Sequence, residues 1–84
     1  MTMPIWYGIT TIKHGGMTER DYQLTPRERQ IIGYIIEGYT DGEIAKQIGL
    51  SLYTIREYVK TILQKLYLKN RVQVAIYAIR NLGY

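Results

Sequence analysis

The chain has 84 residues, 46% of them hydrophobic, 21% charged, with no cysteine and a net charge of +4, which suits one small domain with a modest core. Without thiols there is no disulfide framework and no thiolate metal site, and the lone His14 cannot assemble a metal centre by itself. No apolar run approaches the ~20 residues that cross a bilayer, and the opening MTMPIWYGITTIKHGG lacks the basic start and cleavage pattern of a secretory leader, so a cytoplasmic protein is expected. The charge is uneven. Residues 1–45 carry four basic and six acidic groups, whereas residues 46–84 carry seven basic groups and one acidic group. A basic second half suits a polyanionic partner.

Residues 1–23 read as an N-terminal extension, an arm whose residues 5–12 are aromatic and β-branched enough for a short strand before Gly15-Gly16 breaks it. Residues 24–84 read as an all-α domain. Thr25-Pro26-Arg27-Glu28 is a capping box with proline at the first helical position. Ile31, Ile32, Ile35 and Ile36 then mark one face of a helix over about residues 26–37, stopped by Gly38. Gly33 is expected on its outer side. Thr40-Asp41-Gly42-Glu43 opens a second, short helix carrying Ile44, Ala45 and Ile48 and ended by Gly49. Only Gly49-Leu50-Ser51 separates it from a third helix capped by Ser51, which is the loop length of a helix-turn-helix. Ile55, Val59, Ile62 and Leu66 form a single apolar stripe along that third helix.

Asn70-Arg71-Val72-Gln73 begins a fourth helix, reaching about Asn81, with asparagine as cap and glutamine reaching back. It is apolar almost all round. Val72, Ala75, Ile76 and Ile79 form one face; Val74, Tyr77 and Ala78 form a roughly opposite one. Three other helices can cover only one side well, so the second face, with Asn81 at its end, predicts a two-fold homodimer; the alternative is that Tyr77 reaches solvent along its ring and the N-terminal arm covers Val74.

Opposite the stripe of the third helix stand Tyr53, Glu57, Lys60 and Gln64, with Arg56 beside them. Arg56 and Lys60 are like charges at i,i+4, which an isolated helix does not favour and an anionic partner does. A helix of this width fits the major groove of double-stranded DNA, with the preceding helix crossing the backbone. Arg56 and Lys60 suit guanine O6 and N7, Glu57 suits the cytosine amino group, and Tyr53 and Gln64 lie where neighbouring base edges pass. Thr40 at the start of the second helix, Thr54, Tyr58, Thr61 and Lys65 on the flanks, and Lys46, Lys69 and Arg71 are the expected phosphate contacts. Nothing in the chain combines paired carboxylates with a base, or a glycine loop with a phosphate site, so neither an enzyme nor a cofactor nor a small-molecule ligand is expected.

Leu24-Thr25-Pro26-Arg27-Glu28-Arg29, Glu37-Gly38, Glu43-Ile44-Ala45, Thr54-Ile55-Arg56, Lys65-Leu66 and Asn70-Arg71-Val72-Gln73-Val74-Ala75 together resemble the DNA-binding domain of the LuxR/GerE (NarL/FixJ-type) transcriptional regulators. The resemblance covers residues 24–84. It implies a four-helix helix-turn-helix domain whose third helix enters the major groove and whose fourth pairs two copies on two-fold sites, acting on nucleoid DNA. Most such regulators carry a receiver or ligand-binding domain ahead of this module, and residues 1–23 cannot form one, so the chain resembles a stand-alone GerE-like member or an excised effector domain. It departs from the family pattern at Gly42, at Glu57 and Tyr58, where a basic or amide residue and a histidine are usual, and at Tyr67, where glycine is frequent. An alternative function follows from the same features. A short domain of this kind can pair through its fourth helix with another LuxR-type regulator and silence it.

Overall fold

The computed structural model describes residues 23–84; the expected arm, including Trp6 and His14, falls outside them. The described residues form four helices, α1 (Pro26–Ile36), α2 (Asp41–Ile48), α3 (Leu52–Leu66) and α4 (Arg71–Asn81), and no strand. The described residues are an all-α four-helix domain, in keeping with their periodicity and caps.

Each helix starts where a side chain satisfies its first backbone donors. Thr25 Oγ1 accepts from the Glu28 N–H at 3.1 Å while Glu28 Oε1 accepts from the Thr25 N–H at 2.8 Å. Thr40 and Glu43 repeat this reciprocal pair at 3.1 and 2.9 Å. Ser51 caps α3 through the Thr54 N–H. At α4 the Asn70 side chain accepts from the Gln73 N–H, but Gln73 reaches one residue further back than the capping-box expectation, to the N–H of Lys69 at 2.7 Å. The ends are equally local. Gly38 and Tyr67 both adopt left-handed backbone, with φ of 88° and 58°. In both, the next N–H returns to a carbonyl five residues back, Tyr39 to Tyr34 and Leu68 to Leu63. Glycine takes this conformation without penalty, whereas Tyr67 takes it at a steric cost.

The core gathers Ile31, Ile32 and Ile35 of α1, Ile44 and Ala45 of α2, Ile55, Val59, Ile62 and Leu66 of α3, and Val74 and Ala78 of α4 around Leu24. α3 packs against all three other helices, and α4 lies chiefly on α1. This arrangement corrects the expected dimer face. Val74 and Ala78 are wholly buried inside the protomer and have no surface to offer a second copy, while Tyr77 and Asn81 are half-buried at the margin. Val72, Ile76 and Ile79 point outward instead, 64%, 47% and 56% exposed. The reason is volume. Interhelical distance follows the side chains at the contact, and α1 already brings three buried isoleucines to the shared core. The slim Val74–Ala78 edge lets α4 approach α1 closely; the bulkier Ile76–Ile79 edge would hold it off.

A second correction concerns Gly33, which is half-buried rather than outward. The ring of Tyr84 closes over it, 3.6 Å from where a Cβ would stand, and the Tyr84 hydroxyl donates to the Arg29 carbonyl. Partial burial raises the pKa of that phenol, an effect reduced but not reversed by the positive charge of Arg29.

Two ion pairs join elements far apart in the chain. Glu28, only 3% exposed, accepts from Lys65 Nζ at 2.9 Å, and the same ammonium donates to the Gln23 carbonyl. Arg71 donates to Asp41 at 2.7 Å and to the Tyr39 carbonyl at 2.9 Å, bracing the start of α4 against the α1–α2 turn. Replacing Lys65 by alanine strands a buried carboxylate and is expected to lower the unfolding free energy by about 1–3 kcal/mol, read from urea denaturation. Tyr67→Gly is expected to raise it by roughly 0.5–1 kcal/mol in the same assay, the relief of left-handed strain exceeding the extra backbone entropy.

Candidate nucleic-acid interface

The geometry of α2 and α3 follows from the tight turn between them. Gly49 is left-handed with φ 82°, the Leu50 N–H returns to the Ala45 carbonyl, and Ser51 immediately caps the next helix. The three residues that sequence spacing identified are therefore the whole connection, and α2 and α3 pack directly on each other. With Ile55, Val59, Ile62 and Leu66 turned inward, the opposite side of α3 has no choice but to face outward.

That side carries all five expected base-reading residues. Tyr53 is 72% exposed, and Arg56, Glu57, Lys60 and Gln64 are exposed with it. Glu57 and Lys60 stand at i,i+3, close enough to pair, yet among the described residues neither they nor Arg56 enter any ion pair. Two cationic side chains and one carboxylate thus stand uncommitted on a single helix face about 22 Å long at 1.5 Å per residue.

The expected phosphate contacts divide into two sets. Lys46 and Lys69 are exposed and enter no ion pair among the described residues. Thr40 is exposed, but its hydroxyl is occupied in capping α2. Thr54, Tyr58 and Thr61 are half-buried along the flank of α3, and the Thr54 hydroxyl is hydrogen-bonded to Ser51 at 2.9 Å. Lys65 and Arg71 are committed differently: each neutralises a carboxylate of its own domain. Their charge is largely spent on holding helices together, which spacing along the chain could not reveal.

Sequence reading also missed a cleft. Residues 38–42 at the α1–α2 turn, Leu52 and Arg56 of α3 and Arg71 enclose about 490 Å³. Asp41 lies in it, and its carboxylate is offset by Arg71, so the repulsion it would exert on a phosphate near the start of α2 is muted. Arg56 edges the same cleft and joins it to the outward face of α3. The only hint available beforehand was the pairing of Asp41 and Arg71 as the charged first residues of two helices. Among the described residues no three His, Cys, Asp or Glu side chains group as a metal site would require, and no helix is long and apolar enough to cross a membrane.

Comparison with known proteins shows the family to which the fold belongs. The family described as bacterial regulatory proteins, luxR family, matches residues 22–78, well over half of the chain. The nitrate/nitrite response regulator protein NarL of Escherichia coli K12 is 43% identical over 61 residues, 71% of this chain and 28% of that protein. The transcriptional regulatory protein LiaR of Bacillus subtilis is 34% identical over 74 residues, covering 87% of this chain and 35% of that protein. The response regulator protein VraR of Staphylococcus aureus Mu3 is 38% identical over 58 residues, 69% and 28% respectively. The chain thus spans about a third or less of the length of these relatives. With four capped helices, a three-residue turn before α3 and a family match across the same residues, the chain belongs to the luxR family of bacterial regulatory proteins and carries its helix-turn-helix domain.

Proposed function

We propose that this protein is a transcriptional regulator that binds double-stranded DNA as a homodimer, laying α3 in the major groove. The observation that carries the reading is the outward face of α3. Tyr53, Arg56, Glu57, Lys60 and Gln64 share one exposed side, and its two cations have no ion-pair partner among the described residues. Unpaired like charges one turn apart gain nothing within the domain and gain much against an anionic duplex. Arg56 and Lys60 read guanine edges. Lys46 and Lys69, exposed at the end of α2 and in the α3–α4 turn, meet phosphates on either side. The similarity to LiaR, a transcriptional regulatory protein, points the same way. Its site of action is the nucleoid.

The dimer interface in this reading is the outward edge of α4. Val72, Ile76 and Ile79 recur at helical spacing and stay exposed after the core is complete, so a two-fold contact can bury the same edge of both copies. The alternative function, silencing of another LuxR-type regulator, would use the same edge, and the carboxylate of Glu57 on the DNA-facing side favours it. A gel shift on genomic fragments with and without such a regulator separates the two. Regulation of transcription requires shifted fragments with this protein alone; silencing requires no shift alone and loss of the other regulator's shift.

Lys60→Ala is expected to cost about 1–3 kcal/mol on the preferred site and little on random DNA. Lys69→Ala is expected to weaken all sequences alike and to flatten the salt dependence of log K by about one unit. Both are read from fluorescence anisotropy across a salt series. Equal effects of the two changes on preferred and random DNA would contradict base reading by Lys60. Ile76→Glu is expected to leave the helical content unchanged and to shift the sedimentation profile to monomer.

A further inference from the structure

The five acidic residues among the described ones are not alike. Glu28 is tied to Lys65, Asp41 to Arg71, and Glu43 caps α2. Glu37 stands exposed at the end of α1. Glu57 alone lies on the outward face of α3, with Arg56 beside it and Lys60 one turn on, and it pairs with neither. It sits at the middle of that face, about 160° around the helix from the fully buried Ile55 at ~100° per residue. A side chain at the middle of a groove-bound helix meets base edges, whereas those on the flanks meet the backbone.

A carboxylate in that place is unfavourable against most of a duplex. It is repelled by phosphates, and in the major groove guanine offers only acceptors, N7 and O6, while thymine offers the O4 acceptor and a methyl group. Adenine places an acceptor, N7, beside its amino donor. Cytosine alone presents an amino donor, N4, with no acceptor next to it on the same base. Its partner guanine then offers O6 and N7 to a cation, and Arg56 and Lys60 both flank Glu57.

We infer that Glu57 is a specificity-determining residue that demands cytosine at one position of each half-site, so that the preferred DNA carries G·C pairs under residues 56–60. This rests on the DNA-binding reading above and sharpens it. Glu57 acts mainly by exclusion. It lowers affinity for DNA in general and is offset only where its oxygens accept from a cytosine amino group. The basic α3 face is thereby turned from a general polyanion binder into a selective one.

The test is selection from a random duplex pool by the full chain as wild type, Glu57→Ala and Glu57→Gln, followed by anisotropy on the selected and scrambled sites. Glu57 is exposed, and an unchanged circular dichroism spectrum establishes that each variant is folded. The wild type is expected to select a fixed cytosine in each half-site. Glu57→Ala should lose that preference, binding scrambled DNA more tightly and reducing discrimination at that pair by about tenfold. Glu57→Gln should move the preference toward adenine, which offers an amide both the donor and the acceptor it needs. Selective binding by the wild type with the same base preference in both variants overturns the inference and leaves the DNA-binding reading standing. Failure of the wild type and both variants to bind any duplex in dilute buffer overturns both.

Discussion

The inward stripe of α3 is the constraint on which the remaining structure depends. Ile55, Ile62 and Leu66 are completely buried and Val59 nearly so, and α3 is the helix that meets all three others. Rotation of α3 about its axis would pull those side chains from the core, each worth about 1.5–3 kcal/mol when buried. The orientation of Arg56, Glu57, Lys60 and Gln64 is therefore fixed by apolar packing on the opposite side of the same helix. Precision in the outward face needs no dedicated support, because the core already provides it.

The charged residues fall into two populations with different tasks. Lys65 and Arg71 close long loops of chain by pairing with Glu28 and Asp41, and they hold α3 to α1 and α4 to the start of α2. Arg56, Lys60, Lys46 and Lys69 stay outside such pairs among the described residues. A net charge alone does not distinguish the populations. A small core needs bridges between its helices, and the domain uses some of its cations to make them.

Local features were legible in the sequence and long-range ones were not. The caps at Thr25, Thr40, Ser51 and Asn70, the glycine stops and the stripe of α3 depend on residues within a turn or two, so spacing suffices to find them. All five residues expected on the outward face of α3 lie there for the same reason. The two ion pairs join residues 30 and 37 positions apart, and no local pattern encodes that distance. The choice of faces on α4 failed differently. Both edges are apolar, and hydrophobicity cannot say which goes inward; the decision lay with the volume already present on α1. Gly33 belongs to the same class, since its cover comes from Tyr84, at the far end of the chain.

That cover has a practical consequence. Because the Tyr84 ring lies on α1 and its hydroxyl reaches the Arg29 carbonyl, residue 84 is part of the seam between the first and last helices. A substitution that removes the Tyr84 ring, or a bulky group attached at that residue, acts on that seam directly. Labels for surface attachment or fluorescence belong elsewhere on the molecule.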